Sequence, residues 1–205
     1  MKGINILIFA IAIVFIALFI LGIFSIQTQQ LKPRTEEPYK ITDNNYLNRV
    51  KNDLSSIYAI DLELNKEVVF GQFKDSTVKL VEYKEFDEID FPGAGKLKAN
   101  ENSKILYFHL KVKRLSGEYT NHIINSNILA LACDKEFSYC YGLHFRKREP
   151  EEGNIVNSGE RDFYVAGFVP KNESLSYAVF YYVFYSSGIF GASPGESFYF
   201  AKFKL

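Results

Sequence analysis

The sequence predicts a mainly β protein, an antiparallel sandwich of seven or eight strands that follows one N-terminal transmembrane helix and one short amphipathic helix. Three observations lead to this prediction. Residues 4–26 are almost entirely apolar. Apolar residues then recur at helical spacing around residue 50, and from about residue 58 onward they recur at every second position. The strand-forming residues Tyr and Phe number 14 and 19 in a chain of 205 residues.

The apolar run at residues 4–26 follows a short N-terminal tail at residues 1–3. A helix rising about 1.5 Å per residue would extend roughly 34 Å over this run, and a hydrocarbon core is about 30 Å thick. Secretory signals have a shorter apolar region that ends at a small-x-small cleavage site, and the sequence FSIQ at the end of the run offers none. We therefore expect Ile4 to Ile26 to bind the membrane as a retained anchor.

The segment at residues 27–41, QTQQLKPRTEEPYKI, is interpreted as a juxtamembrane linker. It is polar, contains two prolines and shows no apolar periodicity. The β-sandwich domain is predicted at residues 42–205. It opens with a helix at about residues 43–57, because Thr42 or Asp43 can cap it and apolar side chains follow at helical spacing.

Eight apolar runs with a two-residue period predict the strands. The clearest is ILYFHLKVKRL, which places Leu106, Phe108, Leu110 and Val112 on one face. The strand YAVFYYVFY is apolar on both faces, so it should be central or covered by the helix. The other runs are EVVFGQF, VKLVEYKEF, NILALAC, YCYGLHF, RDFYVAGFV and SFYFAKFKL.

The order of ILYFHLKVKRL, the hairpin LALACDKEFSYCYGL and then NSGERDFYVAGFVPKNES resembles a known family. It is similar to the immunoglobulin-like domains of unknown function in bacterial and archaeal lipoproteins and membrane-anchored proteins. The resemblance covers about residues 68–205, and Gly159, Glu160, Val169 and Pro170 fit its turn and strand exit. It implies an immunoglobulin-like fold in an extracytoplasmic setting and brings no catalytic residues.

Cys133 and Cys140 are the only cysteines in the chain. A hairpin centred between Glu136 and Phe137 would place them directly opposite each other, within reach of a cross-strand disulfide. A disulfide would indicate an oxidising compartment. The alternative is two buried thiols that pack as small apolar groups. No metal site is predicted, because the three histidines have no tight spacing to the cysteines.

Charge and motifs exclude several classes of function. Lys plus Arg and Asp plus Glu number 24 each, so the chain has no net positive field and no nucleic-acid partner is expected. The sequence also lacks the nucleophile-elbow, zinc-protease, phosphate-loop and dinucleotide-binding motifs. We therefore predict no enzymatic activity, no catalytic residues and no cofactor.

Three apolar residues are candidates for contact with a partner. The segment SSGIFGASPGE joins the last two predicted strands and carries Ile189 and Phe190, and Tyr182 lies nearby in the sequence. Loops at the end of a rigid sandwich commonly bind partners through aromatic side chains. The alternative is that Phe190 closes the end of the core. Asn172 begins an Asn-Glu-Ser sequon on a predicted turn and is a candidate glycosylation site.

These observations predict a single-pass cell-membrane protein with a non-catalytic binding or structural module at the cell envelope. The expected partner is another envelope protein or a surface polymer. Basic residues flank the anchor on both sides and leave its orientation open, so the extracytoplasmic placement depends on the sandwich and the cysteine pair. The alternative comes from KGINILIFAIAIVFIALFILG, which resembles archaeal pilin and archaellin N-termini and implies a pilin-like or archaellum stator-type filament component.

Overall fold

The structure is a computed structural model that describes residues 32–55, 59–70, 76–114, 122–149, 160–186 and 196–205. The predicted transmembrane helix at Ile4 to Ile26 lies outside these ranges. Within them, no helix combines the length and apolar character needed to cross a bilayer. The described residues form the helix α1 (Asn44–Leu54) and the strands β1 (Lys40–Ile41), β2 (Ala59–Leu62), β3 (Glu67–Phe70), β4 (Ser76–Phe86), β5 (Glu88–Phe91), β6 (Gly95–Lys98), β7 (Ser103–Arg114), β8 (His122–Cys133), β9 (Cys140–Leu143), β10 (Phe145–Glu149), β11 (Glu160–Pro170), β12 (Tyr177–Ser186) and β13 (Glu196–Lys204).

Two large sheets form the sandwich. One has six strands in the order β1-β9-β8-β12-β13-β2, and the other has five in the order β10-β11-β7-β4-β3. The strands β5 and β6 form a separate hairpin. The prediction of a mainly β fold is confirmed.

The prediction of seven or eight purely antiparallel strands is wrong, because β2 runs parallel to β13 and the described residues contain thirteen strands. The helix α1 explains the parallel pair. It carries the chain from the edge strand β1 to the opposite edge strand β2 of the same sheet. A crossover of this kind, unlike a tight hairpin, joins strands that run in the same direction.

The main core lies between the two large sheets. Leu106, Phe108, Leu110 and Val112 of β7 are at most 1% exposed, and they pack in one cluster with inward side chains of the six-stranded sheet such as Phe180. The predicted inward face of β7 is therefore confirmed. Alternation along each strand leaves a second face on each sheet that needs its own cover.

Each outer face is partly covered by a different element. The helix α1 packs on the outside of the six-stranded sheet through Leu47, Val50 and Leu54. The β5–β6 hairpin packs on the outside of the five-stranded sheet through Phe91 and Leu97, which are 1% and 0% exposed. The sandwich therefore has four layers, with the hairpin and α1 as the two outermost.

The turn and the strand β6 of this hairpin lie in FPGAGKLKANENS, which contains none of the apolar runs that predict strands. Gly93 and Gly95 adopt φ values of 80° and 73°, a region that favours glycine. They allow a tight turn, and the chain then returns as β6. The Pro and Gly residues of this stretch thus mark the turn of a hairpin.

The predicted juxtamembrane linker is described from residue 32, and its residues 32–41 lie along the sandwich. The backbone of Arg34 hydrogen-bonds to β6 on both sides, accepting from Lys98 at 3.0 Å and donating to Lys96 at 2.7 Å. Farther along, Tyr39 O accepts from Gly142 N at 3.0 Å, and β1 pairs with β9. This segment therefore belongs to the same packed unit as the strands.

Side chains reinforce the attachment of residues 32–41. The Lys40 ammonium lies 2.8 Å from the Glu173 carboxylate, which also accepts a hydrogen bond from the Tyr141 hydroxyl at 2.8 Å. Glu36 lies 2.5 Å from His144 Nε2. Partial burial alone would raise the pKa of Glu36, but hydrogen bonds with His144 and Arg34 lower it overall. These contacts fix the segment at both of its ends.

Candidate functional site

The helix α1 forms because its sequence supplies a cap and one apolar stripe. The Asp43 carboxylate accepts hydrogen bonds from the backbone of Asn45 at 2.8 Å and Tyr46 at 3.0 Å, which satisfies donors that the first turn leaves free. Leu47, Val50 and Leu54 lie on one face and are buried. The helix lies within the range predicted from the sequence, and Asp43 is its cap.

The apolar stripe of α1 packs on outward side chains of the six-stranded sheet. Val179 and Tyr181 of β12 lie in the same cluster as Leu131 of β8 and Phe200 of β13. Inward neighbours such as Phe180 belong to the main core. The strand β12 is therefore central and also covered by the helix, which explains why both of its faces are apolar.

The helix leaves a groove open on the outer face of this sheet. One lobe has a volume of about 420 Å³ and lies between β1, α1, β8 and the start of β10. A second lobe of about 310 Å³ lies between α1, β8, β12 and β13. Tyr46 and Leu129 line both lobes, so the lobes adjoin. We call the two lobes together the helix groove.

The first lobe is mainly apolar and aromatic. Tyr39 is 65% exposed and Leu129 is 36% exposed. The absence of a side chain at Gly142 leaves room for the Tyr39 ring, because a Cβ at position 142 would lie 3.2 Å from Tyr39 Cδ1. His144 and Arg146 complete the lining. The lobe therefore combines exposed apolar area with a cationic group.

Tyr181 of the second lobe has a buried hydroxyl group. The residue is 8% exposed, and its hydroxyl oxygen makes no hydrogen bond to any described residue. Burial raises the pKa of Tyr181, and the nearby Tyr46 and Asp53 raise it further. Buried polar groups are nearly always hydrogen-bonded, so this hydroxyl is an exception among the described residues.

Two arginines of the groove form no ion pair with the described residues. Among the residues that the structure describes, no acidic side chain lies within 4.0 Å of the guanidinium of Arg49 or Arg146. Burial raises the pKa of Tyr46, whereas Arg146 and Arg49 both act to lower it. Tyr46 lines the first lobe together with Arg146 and the second lobe together with Arg49.

The cysteine pair lies in the same apolar cluster as the helix. Cys133 and Cys140 are opposite each other in the register of β8 and β9, and their Sγ atoms are bonded at 1.96 Å. Both residues are 0% exposed. The Asp134 carboxylate accepts hydrogen bonds from the backbone of Ser138 and Tyr139, which orders the intervening loop. The disulfide therefore stabilises the sheet end on which α1 packs.

The predicted partner-binding residues lie wholly or partly outside the described part of the chain. Ile189 and Phe190 lie outside the described residues. The backbone of Tyr182 pairs with Ile128 in β12 and β8, and its side chain lies outside the description. Asn172 is exposed on the turn after β11, as the sequence analysis expected. In the described part of the chain, no group of three His, Cys, Asp or Glu residues could hold a metal ion.

The sequence analysis missed the residues of the helix groove. One signal for them was present: in NILALAC the small residues Ala130 and Ala132 alternate with the larger Leu129 and Leu131. A strand that is apolar on both faces requires a second covering layer. The helix covers Leu131, which is 1% exposed, but it leaves Leu129 open.

Comparisons with known proteins add one structural likeness. The chain is similar to an uncharacterized β-sandwich protein from Clostridium difficile 630, with a TM-score of 0.44 and 8% sequence identity. The alignment covers 72% of this chain and 94% of that one. No protein-family model matches the chain, and a search of curated proteins finds no match. At this level of similarity the likeness supports no functional argument, so the function is inferred from the chain's own residues.

Proposed function

We propose that the chain is a single-pass membrane protein whose extracytoplasmic, immunoglobulin-like sandwich acts as a non-catalytic binding module at the cell envelope. In this proposal the helix groove is the binding surface. The single observation that carries it is an open, largely apolar groove whose lining includes two guanidinium groups, those of Arg49 and Arg146. Ligand sites commonly have this character, with apolar walls and a few polar groups that fix the orientation of the ligand.

Two further observations support the location. The buried Cys133–Cys140 disulfide is typical of proteins in oxidising compartments. The contacts of Arg34 with β6 also leave only a short stretch between Ile26 and the packed unit. A sandwich anchored through Ile4 to Ile26 would therefore be held close to the membrane surface.

The test of the anchor and the orientation uses the full chain. To test the anchor, membranes are washed with alkaline carbonate. To test the orientation, intact cells and inverted membrane vesicles are treated separately with protease. We expect the chain to remain in the membrane fraction and to be digested in intact cells. The control variant carries Phe15→Arg and Leu18→Arg, because each charge at a helix centre costs about 3 kcal/mol of insertion free energy.

We expect this variant to leave the membrane fraction. Recovery of the unaltered full chain in the soluble fraction would contradict the anchor. Digestion in inverted vesicles alone would contradict the extracytoplasmic placement.

A further inference from the structure

The geometry of the helix groove points to an amphipathic anion as its ligand, a molecule with one apolar chain and a carboxylate or phosphate headgroup. This inference rests on the proposed function, in which the same groove is the binding surface. The headgroup would lie at Tyr46, where the two lobes meet, and the apolar chain would lie along Leu129.

The lining supplies the apolar part of the argument. Leu129 is exposed in the middle of the groove, with Phe200 and Val50 in one lobe and Ile41 and Leu131 in the other. Covering such a surface with an apolar chain removes it from water, which is favourable by about 25 cal/mol per Å². Each lobe also has a volume typical of small-molecule sites, which lie between about 300 and 1,000 Å³.

The arginines supply the anion preference. Arg49 of α1 lines the second lobe with Tyr46, and Arg146 of β10 lines the first lobe with Tyr46. Neither guanidinium has a carboxylate of the described residues within 4.0 Å. The planar guanidinium group matches carboxylate and phosphate oxygens with two parallel hydrogen bonds. Two such groups around one point favour a single anionic headgroup between them.

Two acidic residues, Asp43 and Asp53, also line the groove, and they differ in how far they would repel an anionic ligand. The Asp43 carboxylate already accepts two backbone hydrogen bonds at the helix start. Asp53 lies in the second lobe, where burial raises its pKa and Arg49 acts in the opposite direction. The headgroup is therefore expected on the side of Arg146 and Tyr46, away from Asp53.

The test uses the full chain in nanodiscs of uncharged lipid and a diazirine-bearing decanoate as a photoactivatable probe. Labelled peptides are mapped by mass spectrometry. We expect labelling of peptides that contain Tyr46 and Leu129. Unlabelled decanoate and decyl phosphate should compete with it, and decanol and decylamine should not. The two competing anions distinguish a carboxylate ligand from a phosphate ligand.

Variants separate the contribution of each group. Arg49→Gln and Arg146→Gln should each lower groove labelling by about tenfold, the effect of losing one charge-assisted hydrogen bond. Tyr181→Phe should leave both the labelling and the fold unchanged, because the Tyr181 hydroxyl is buried and does not reach the groove. Lys51→Gln is the matched control, because Lys51 is an exposed cation of the same helix that does not line the groove.

Three outcomes would overturn the inference in different ways. Equal competition by decanol or decylamine would leave the groove as a binding site but refute its preference for anions. An equal loss of labelling in Lys51→Gln would refute the role of the two arginines. Labelling found only in residues 4–26, and unchanged by any of the four competitors, would refute the groove as the binding surface. It would also refute that part of the proposed function.

Discussion

Tyr181 and Tyr141 are both buried, but only one of their hydroxyl groups has a partner. The Tyr141 hydroxyl donates to Glu173 at 2.8 Å, whereas the Tyr181 hydroxyl has no partner among the described residues. Removing an unsatisfied buried hydroxyl is neutral or stabilising, and removing a satisfied one is costly. We expect Tyr181→Phe to raise the free energy of unfolding by up to about 1 kcal/mol and Tyr141→Phe to lower it by about 1 kcal/mol.

Urea denaturation of the two variants, followed by circular dichroism, measures both changes. The pair forms its own control, since the same atom is removed from each ring. An equal loss of stability in both would show that the Tyr181 hydroxyl does have a partner in the folded protein.

Gly167 of β11 allows two strands to approach closely. A Cβ at this position would lie 2.6 Å from Leu143 Cα of β9, a contact with backbone that cannot be relieved by a rotamer change. We expect Gly167→Ala to lower the free energy of unfolding by about 1 to 3 kcal/mol, the usual cost of overpacking.

Gly95→Asn is the comparison in the same denaturation series. No atom lies within 4 Å of a Cβ at position 95, and asparagine tolerates the φ of 73° found there. A Gly167→Ala variant as stable as Gly95→Asn would show that β9 and β11 can move apart at low cost.

Glu173 makes the stability of the attached segment depend on pH. The hydrogen bond from Lys40 lowers the pKa of Glu173 below its ordinary value of 4.5, and hydrogen bonds from Tyr141 and Tyr139 act in the same direction. A carboxylate whose pKa is lower in the folded state than in the unfolded state stabilises the fold fully at pH values above its unfolded pKa. This stabilisation is lost as the pH falls through its folded pKa. The loss should therefore begin near pH 4.5 and grow as the pH falls further.

Glu173→Gln should lower the free energy of unfolding by about 1 kcal/mol at pH 7. The difference from the unaltered protein should shrink as the pH falls below 4.5. Unfolding measured from pH 7 to pH 3 gives both curves, with the exposed Glu101→Gln as control. Parallel curves for the Glu173→Gln variant and the unaltered chain would contradict the pH dependence.

At the scale of the secondary-structure elements, the disulfide links two strands that are neighbours in sequence. Cys133 and Cys140 are separated by seven positions and join β8 to β9 in the cluster below α1. Closing a loop of this length stabilises the folded state by about 2 to 3 kcal/mol in the chain-entropy estimate. We expect the double variant Cys133→Ala and Cys140→Ala to lose about this much.

Denaturation with and without reductant measures the effect. Reductant should destabilise the unaltered chain and leave the double variant unchanged. If reductant changes neither protein, the two sulfur atoms are not bonded in solution.

The elements that the sequence predicted correctly are those whose pattern is local. The alternation in β7 predicted its inward face, and the apolar residues on both faces of β12 predicted a strand that is central or covered by the helix. The sequence missed β2, because its four residues pair with β13, some 140 positions later. The groove was missed for the same reason, since α1, β8, β10 and β12 meet there only in the folded chain.

At the scale of the whole molecule, the folded unit begins before the predicted domain boundary at residue 42. Residues 32–41 contribute the β1 pairing with β9, the Arg34 backbone contacts with β6 and the Glu36–His144 contact. The attached segment also supplies Tyr39 and Ile41 to the groove. A chain that starts at residue 32 should therefore retain both the stability and the groove, whereas a chain that starts at residue 42 should lose part of each.

Two truncated chains, 32–205 and 42–205, test this boundary. We expect 32–205 to remain in the aqueous fraction and to unfold with the free energy of a stable single domain. The shorter chain loses several net hydrogen bonds worth about 0.5 to 1.5 kcal/mol each, so its free energy of unfolding should fall by about 3 kcal/mol or more. Thermal denaturation of the two proteins side by side measures the difference. Equal stability would mean that the segment lies on the sandwich without strengthening it, and that the sandwich is free to move away from its anchor.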